Sequence, residues 1–206
     1  MQWSEQASTR AGQKIPANAP ELLRESALRE AWLIRDFGIP AELCVNTDQM
    51  NSPYAHGARR TWNKVGEKQV TTIGHEEKRA FTLVPSISAS GEILPLQAIY
   101  QGTTNKSCPS PNSPRYDEAL ALGFHFLPSK TATYWSTLET MKQLVNDIIA
   151  PYFDRQKREL GLPLDQKAIW RIDCWTVHKS PVFRSWLQQE HPNIFIIFVP
   201  AGCTGL

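Results

Sequence analysis

Hydrophobic positions along the chain follow two periods, and the switches between them mark out its elements. From Glu21 to Phe37, Leu23, Ala27, Ala31 and Ile34 recur at helical spacing with Leu28 and Trp32 beside them, and Gly38 and Pro40 follow. This predicts an amphipathic helix that ends at the glycine, with Arg24, Arg29 and Arg35 on its solvated face. A second helical run carries Leu138, Met141, Leu144, Val145, Ile148, Ile149, Tyr152 and Phe153. Ser136 and Glu139 ahead of it have the spacing of a capping box, and Pro151 is expected to kink it. A short third helix starts at Pro181 and runs through Phe183, Trp186 and Leu187.

The other period is two. Ala41–Asp48 alternates as a strand, with Leu43, Val45 and Thr47 on one face and Cys44, Asn46 and Asp48 on the other. Residues 81–88 and 93–100 are β-rich runs joined by Ala89-Ser90-Gly91-Glu92, a hairpin signal, with Pro85 and Pro95 as local breaks in the ladder. Val70–Gly74 adds a small further strand. Ile169-Trp170-Arg171-Ile172 is a strand that ends on Asp173, and Ile194–Val199 is apolar at every position, as a strand covered on both faces must be. Residues 1–20 are expected as a flexible lead-in, 54–68 as a loop with Arg59, Arg60, Lys64 and Lys68 around Tyr54 and Trp62, and 102–128 as a long surface connection.

Three β-runs with short links imply an antiparallel meander, and the later strand–helix–strand unit implies parallel crossovers. The predicted fold over residues 21–206 is therefore α/β, a mixed five-stranded sheet flanked by helices. Composition agrees: 41% hydrophobic and 20% charged residues make a globular chain with no apolar run of membrane-spanning length. No apolar signal core opens the sequence, so an intracellular location without a membrane partner is expected. A net charge of +2 neither demands nor excludes nucleic acid. Cys44, Cys108, Cys174 and Cys203 have no zinc-ligand spacing and read as free thiols.

The candidate chemistry lies in two carboxylates. If the strands ending on Asp48 and Asp173 are parallel neighbours, their ends sit about 4.8 Å apart, and both can converge on a hard divalent cation. Such a cation activates the attacking oxygen and stabilises the leaving one in phosphodiester chemistry. Taken alone, Asp48 reads more simply as a turn-forming aspartate. His178 reads first as a structural hydrogen-bonding group. Lys179 and the basic loop are candidates for phosphate contact and Trp62 for base stacking, against the plainer readings of solvated surface and packing.

Several segments in order resemble the DDE-superfamily endonuclease domain of pogo/Tigger-type transposases, which has centromere protein B-like and jerky-like relatives. They are Leu43-Cys44-Val45-Asn46-Thr47-Asp48-Gln49, Thr71–Gly74, Ser90–Pro95 through Tyr100-Gln101-Gly102, Ile172–Ser180, and Phe198–Leu206. The resemblance implies a ribonuclease H-like fold and Asp48 and Asp173 as catalytic metal ligands for Mg²⁺ or Mn²⁺. It also implies DNA as partner, a nuclear location, and strand cleavage and joining, with a homo-oligomer among the expected assemblies. In that family a third carboxylate follows the Val-Pro…Cys-Thr segment. No acidic residue lies between Glu190 and Leu206, so the expectation is a domain truncated before its last helix. Two function classes stay open: a metal-dependent DNA nuclease, and an inactive domesticated remnant that binds nucleic acid or a partner.

Overall fold

The computed structural model describes residues 3–7, 15–54, 60–66 and 80–203. The first half of the chain carries β1 (Trp3–Ala7), α1 (Ala19–Phe37), β2 (Cys44–Thr47), β3 (Met50–Pro53), β4 (Arg60–Lys64), β5 (Ala80–Val84), β6 (Ser86–Ser88) and β7 (Gln97–Tyr100). The second half carries α2 (Tyr116–Ala121), β8 (His125–Pro128), α3 (Leu138–Leu144), α4 (Ala150–Glu159), β9 (Ala168–Ile172), α5 (Thr176–Lys179), α6 (Pro181–Glu190) and β10 (Ile194–Phe198).

The single five-stranded sheet expected from the sequence is divided in two. One sheet has the order β10-β9-β2-β6, parallel across β10, β9 and β2 and antiparallel to β6; the other has the order β3-β5-β7-β8. The chain crosses from one to the other at Asp48-Gln49 and again at Pro85. Proline has no N–H to give the ladder, so the break falls there, and the Pro85 carbonyl accepts from the Asp48 N–H at 3.2 Å. The hairpin forms as expected, with Gly91 at φ +95° and Ile87 bridged to Ile93.

β9 lies between β10 and β2, and four of its five residues are buried. Trp170 and Ile172 are fully buried and, with Val45, Ile197 and Phe183, join the core contributed by Met141, Leu144, Ile148 and Phe153. The Trp170 indole N–H donates to Thr47 Oγ1 at 2.8 Å, and Thr47 Oγ1 lies 2.7 Å from Ser86 Oγ. This polar chain crosses β9, β2 and β6 inside the core, where an unmatched group is costly. It therefore favours one register among the three strands.

Several expectations change. The apolar stripe read on α1 is not the buried one: Leu28 and Trp32 are 59% and 50% exposed, while Ala19 and Leu33 are buried. The inward face also carries Ser26, which donates to the Phe198 carbonyl, and Glu30, which pairs with Arg171. These polar contacts set the helix rotation in place of the apolar periodicity. The helix itself ends as predicted, at Gly38 in the left-handed region (φ +59°).

The capping box is displaced by one residue. Thr137 caps α3, its hydroxyl accepting from the Thr140 N–H while Thr140 Oγ1 accepts from the Thr137 N–H. Ser136 is thereby freed for another partner. Pro151 is absorbed by a π-helical turn over Val145–Ile149 that joins α3 to α4. Within the expected surface connection, α2 forms and β8 pairs in parallel with β7. Within the expected lead-in and basic loop, β1 and β4 pair antiparallel, Trp3 opposite Lys64. The strand expected at Val70–Gly74, Arg59, Lys68 and the side chains of Arg60 and Trp62 lie outside the described residues, as do positions 204–206.

The Thr47 hydroxyl gives a direct stability test. Thr47→Val keeps the shape but strips the Trp170 N–H and Ser86 of their partner, which should cost about 1–3 kcal/mol. A lowered urea midpoint with unchanged slope is the expected outcome. An unchanged midpoint would show that this hydroxyl chain does not hold the strands.

Candidate active site

The parallel pairing of β2 with β9 sets Cys44 against Ile169, Val45 against Trp170 and Asn46 against Arg171, an offset of 125 positions. Asp48 and Asp173 stand at the same offset, since 173 less 48 is also 125. Each carboxylate follows its strand by one residue, so both lie just past the carboxyl ends of neighbouring, parallel-paired strands. That is where open α/β sheets place ligands. The adjacency of these strands, on which the sequence argument depended, is therefore present.

Asp48 is exposed, and its Oδ1 accepts from the Gln49 backbone N–H at 2.8 Å. Asp173 is half-buried. The chain leaves β9, turns through Trp175 and forms α5, whose single turn returns His178 to the strand end. His178 Nδ1 lies 2.8 Å from Asp173 Oδ1 and 3.2 Å from the Asp173 carbonyl. The His178 hydrogen bond holds the Asp173 carboxyl below its ordinary value, against the opposing effect of burial, with help from the Trp175 backbone N–H. The imidazole is only 1% exposed and sits among Trp175, at 5.5 Å between ring centroids, and Phe183, at 6.3 Å. Its structural role, as the sequence suggested, is to hold the carboxylate.

Two residues that the sequence argument passed over complete the surroundings. Gln49 Nε2 lies 3.3 Å from His178 Nε2, and the Ser136 hydroxyl donates to Gln49 Oε1 at 2.7 Å. The only sequence signal for Gln49 is its place beside Asp48, and Ser136 had been assigned to the cap that Thr137 in fact provides. Lys179 is exposed, Lys64 is exposed on β4, and Glu190 is the exposed last residue of α6, ahead of β10. The thiols of Cys44, Cys108, Cys174 and Cys203 are free, and burial pushes Cys44 and Cys108 up from the usual thiol value.

The donor chemistry suits a hard divalent cation. Both groups are carboxylates, Asp173 is kept ionised, and a carboxylate offers about four lone-pair positions, of which the bonds above use only a part. Among the described residues no group of three or more His, Cys, Asp or Glu side chains is arranged to hold a metal ion.

Sheet order, the β2–β9 register and the flanking helices define a ribonuclease H-like fold, and a solved structure shares it. The crystal structure of a pre-cleavage Mos1 transpososome superposes with a TM-score of 0.50 at 13% identity, covering 94% of this chain and 48% of that one. The Mos1 mariner paired-end complexes with Mn and with Mg give TM-scores of 0.49 and 0.48 at 14% and 15% identity, each covering 94% of this chain and 47% of the other. The chain thus spans about half the length of the solved structures it matches. No protein-family model matches the chain, and no curated protein sequence does.

Because the folded Asp173 value is depressed, its contribution to stability is fully present above the unfolded aspartate value of about 3.9 and is lost as pH falls through the folded value. In His178→Phe the hydrogen bond goes and burial remains, so the Asp173 carboxyl should titrate higher than in the wild type. Carbon-detected NMR of the carboxyl reads this directly. An unchanged Asp173 titration would show that His178 does not set its charge.

Proposed function

We propose that this chain is a transposase-derived, DDE-type nuclease domain of the pogo/Tigger kind, acting on DNA phosphodiesters with Mg²⁺ or Mn²⁺ held by Asp48 and Asp173. One observation supports the reading: β2 and β9 pair in parallel, and Asp48 and Asp173 each follow the carboxyl end of one of them. The ribonuclease H-like fold shared with the pre-cleavage Mos1 transpososome supports it, as do the ordered sequence segments that resemble the family.

When bound, the cation supplies Lewis-acid stabilisation of the phosphate and an activated attacking oxygen. The chain's own residues do the rest. Asp173 is kept ionised by His178, so it presents negative charge at neutral pH. Asp48 is exposed and positioned by the Gln49 N–H, which leaves it accessible from the DNA side. A two-carboxylate half-shell completed by water and substrate phosphate oxygens is a normal arrangement for Mg²⁺. Lys179, exposed on α5 next to His178 in the chain, is the candidate to meet a phosphate. Trp135, 46% exposed and next to Ser136, offers a face on which a base could stack. A substrate of this kind puts the protein in the nucleus, and the DNA-joining chemistry favours assembly with a second copy.

The test is Mg²⁺- or Mn²⁺-dependent nicking of supercoiled plasmid. Asp48→Asn and Asp173→Asn should each lower it by about 10²-fold or more, in keeping with the loss of a group that stabilises transition-state charge. Nicking that survives both changes would remove the pair from the chemistry. Metal binding abolished by the two changes in a protein that never nicks would point to the inactive remnant.

A further inference from the structure

The hydrogen positions around His178 are fixed by their neighbours. Nδ1 faces two oxygens of Asp173, the carboxylate at 2.8 Å and the backbone carbonyl at 3.2 Å, and both can only accept. The proton of a neutral ring therefore sits on Nδ1, and Nε2 is left as an acceptor. The group opposite Nε2 must donate, which assigns the Gln49 amide nitrogen, 3.3 Å away, to that side. The other Gln49 N–H points to Met141 Sδ at 3.9 Å. Gln49 Oε1 then faces Ser136, whose hydroxyl donates at 2.7 Å. Ser136 and His178 are 4% and 1% exposed, so both are enclosed at the ends of this chain of contacts.

We propose that Gln49 is the positioning residue that couples the two acidic groups. Its backbone N–H holds Asp48 Oδ1, while its side chain, oriented by Ser136, fixes the His178 tautomer that donates to Asp173 Oδ1. One residue thus ties both strand ends into a single unit from opposite directions. The inference rests on the reading of Asp48 and Asp173 as a metal pair, and it adds what sets their geometry. Groups that orient a ligand from behind are commonly worth about 10–100-fold in metal affinity.

Two readouts on the full chain test it. The first is the imidazole ¹⁵N signature of His178, recorded with the pH held well above the ordinary imidazole value of about 6.5. The wild type should show the neutral Nδ1–H form, and Gln49→Leu should show a mixture of tautomers. The second is Mn²⁺ affinity by electron paramagnetic resonance. Gln49→Leu should weaken it about tenfold or more. Ser136→Ala, a milder change in case the leucine disturbs folding, should weaken it in the same direction, and Ser136→Thr should restore it. A wild-type ring protonated on Nε2 would overturn the proposal. So would wild-type Mn²⁺ affinity in Gln49→Leu and Ser136→Ala while Asp48→Asn and Asp173→Asn lose the ion. If the two aspartate variants themselves keep wild-type Mn²⁺ affinity, the metal-pair reading fails instead, and the ring signature then decides the relay alone.

Discussion

The parallel pairing of β2 with β9 is the constraint from which the rest of the site follows. A slip of one residue would turn every side chain of β2 to the opposite face and shift Asp48 along the end of β9. The buried indole of Trp170 opposes such a slip, because it donates to the Thr47 hydroxyl on β2, itself shared with Ser86 on β6. A slipped register would strand these polar groups in an apolar core. Fold stability and the placement of the two carboxylates thus depend on the same contact.

Each side of the sheet then has a separate task. The core side, with Phe153, Phe183 and the aliphatic residues of α3, supplies burial and encloses His178 next to Phe183. On the other side α1 lies over the β10 edge, fixed by the Glu30–Arg171 pair and by Phe37, tilted against Phe195 at 5.1 Å between ring centroids. Asp48 stays exposed while Asp173 is half-buried and held by an enclosed imidazole, so two chemically identical groups acquire different environments. One is exposed and the other is held by a buried ring.

Much of this was legible in the sequence because it depends on local pattern. The apolar runs at Ile169–Ile172 and Ile194–Phe198, the glycine-containing hairpin and the stop at Gly38 each have a cause within a few residues. The two aspartates were legible as strand ends, and the family resemblance joined them. What escaped depends on partners far along the chain. α1 is rotated by Arg171, 141 positions away. Gln49 meets Ser136 and His178 across 87 and 129 positions. β8 carries a short His-Phe-Leu-Pro sequence that forms a strand by pairing with the edge of β7. Ser136 was misread by a single residue, since Ser and Thr both cap helices and only the fold selects Thr137.

The central proposal is that Asp48 and Asp173, each one residue past the end of a paired strand, hold one cation. Paramagnetic broadening by substoichiometric Mn²⁺ in the ¹⁵N-labelled chain tests it most directly. The account predicts that amides at 48–49 and 173–174 broaden together, along one concentration curve, and that Asp48→Asn abolishes the effect at both segments. Broadening at one segment without the other, or scattered over surface carboxylates elsewhere, would contradict it.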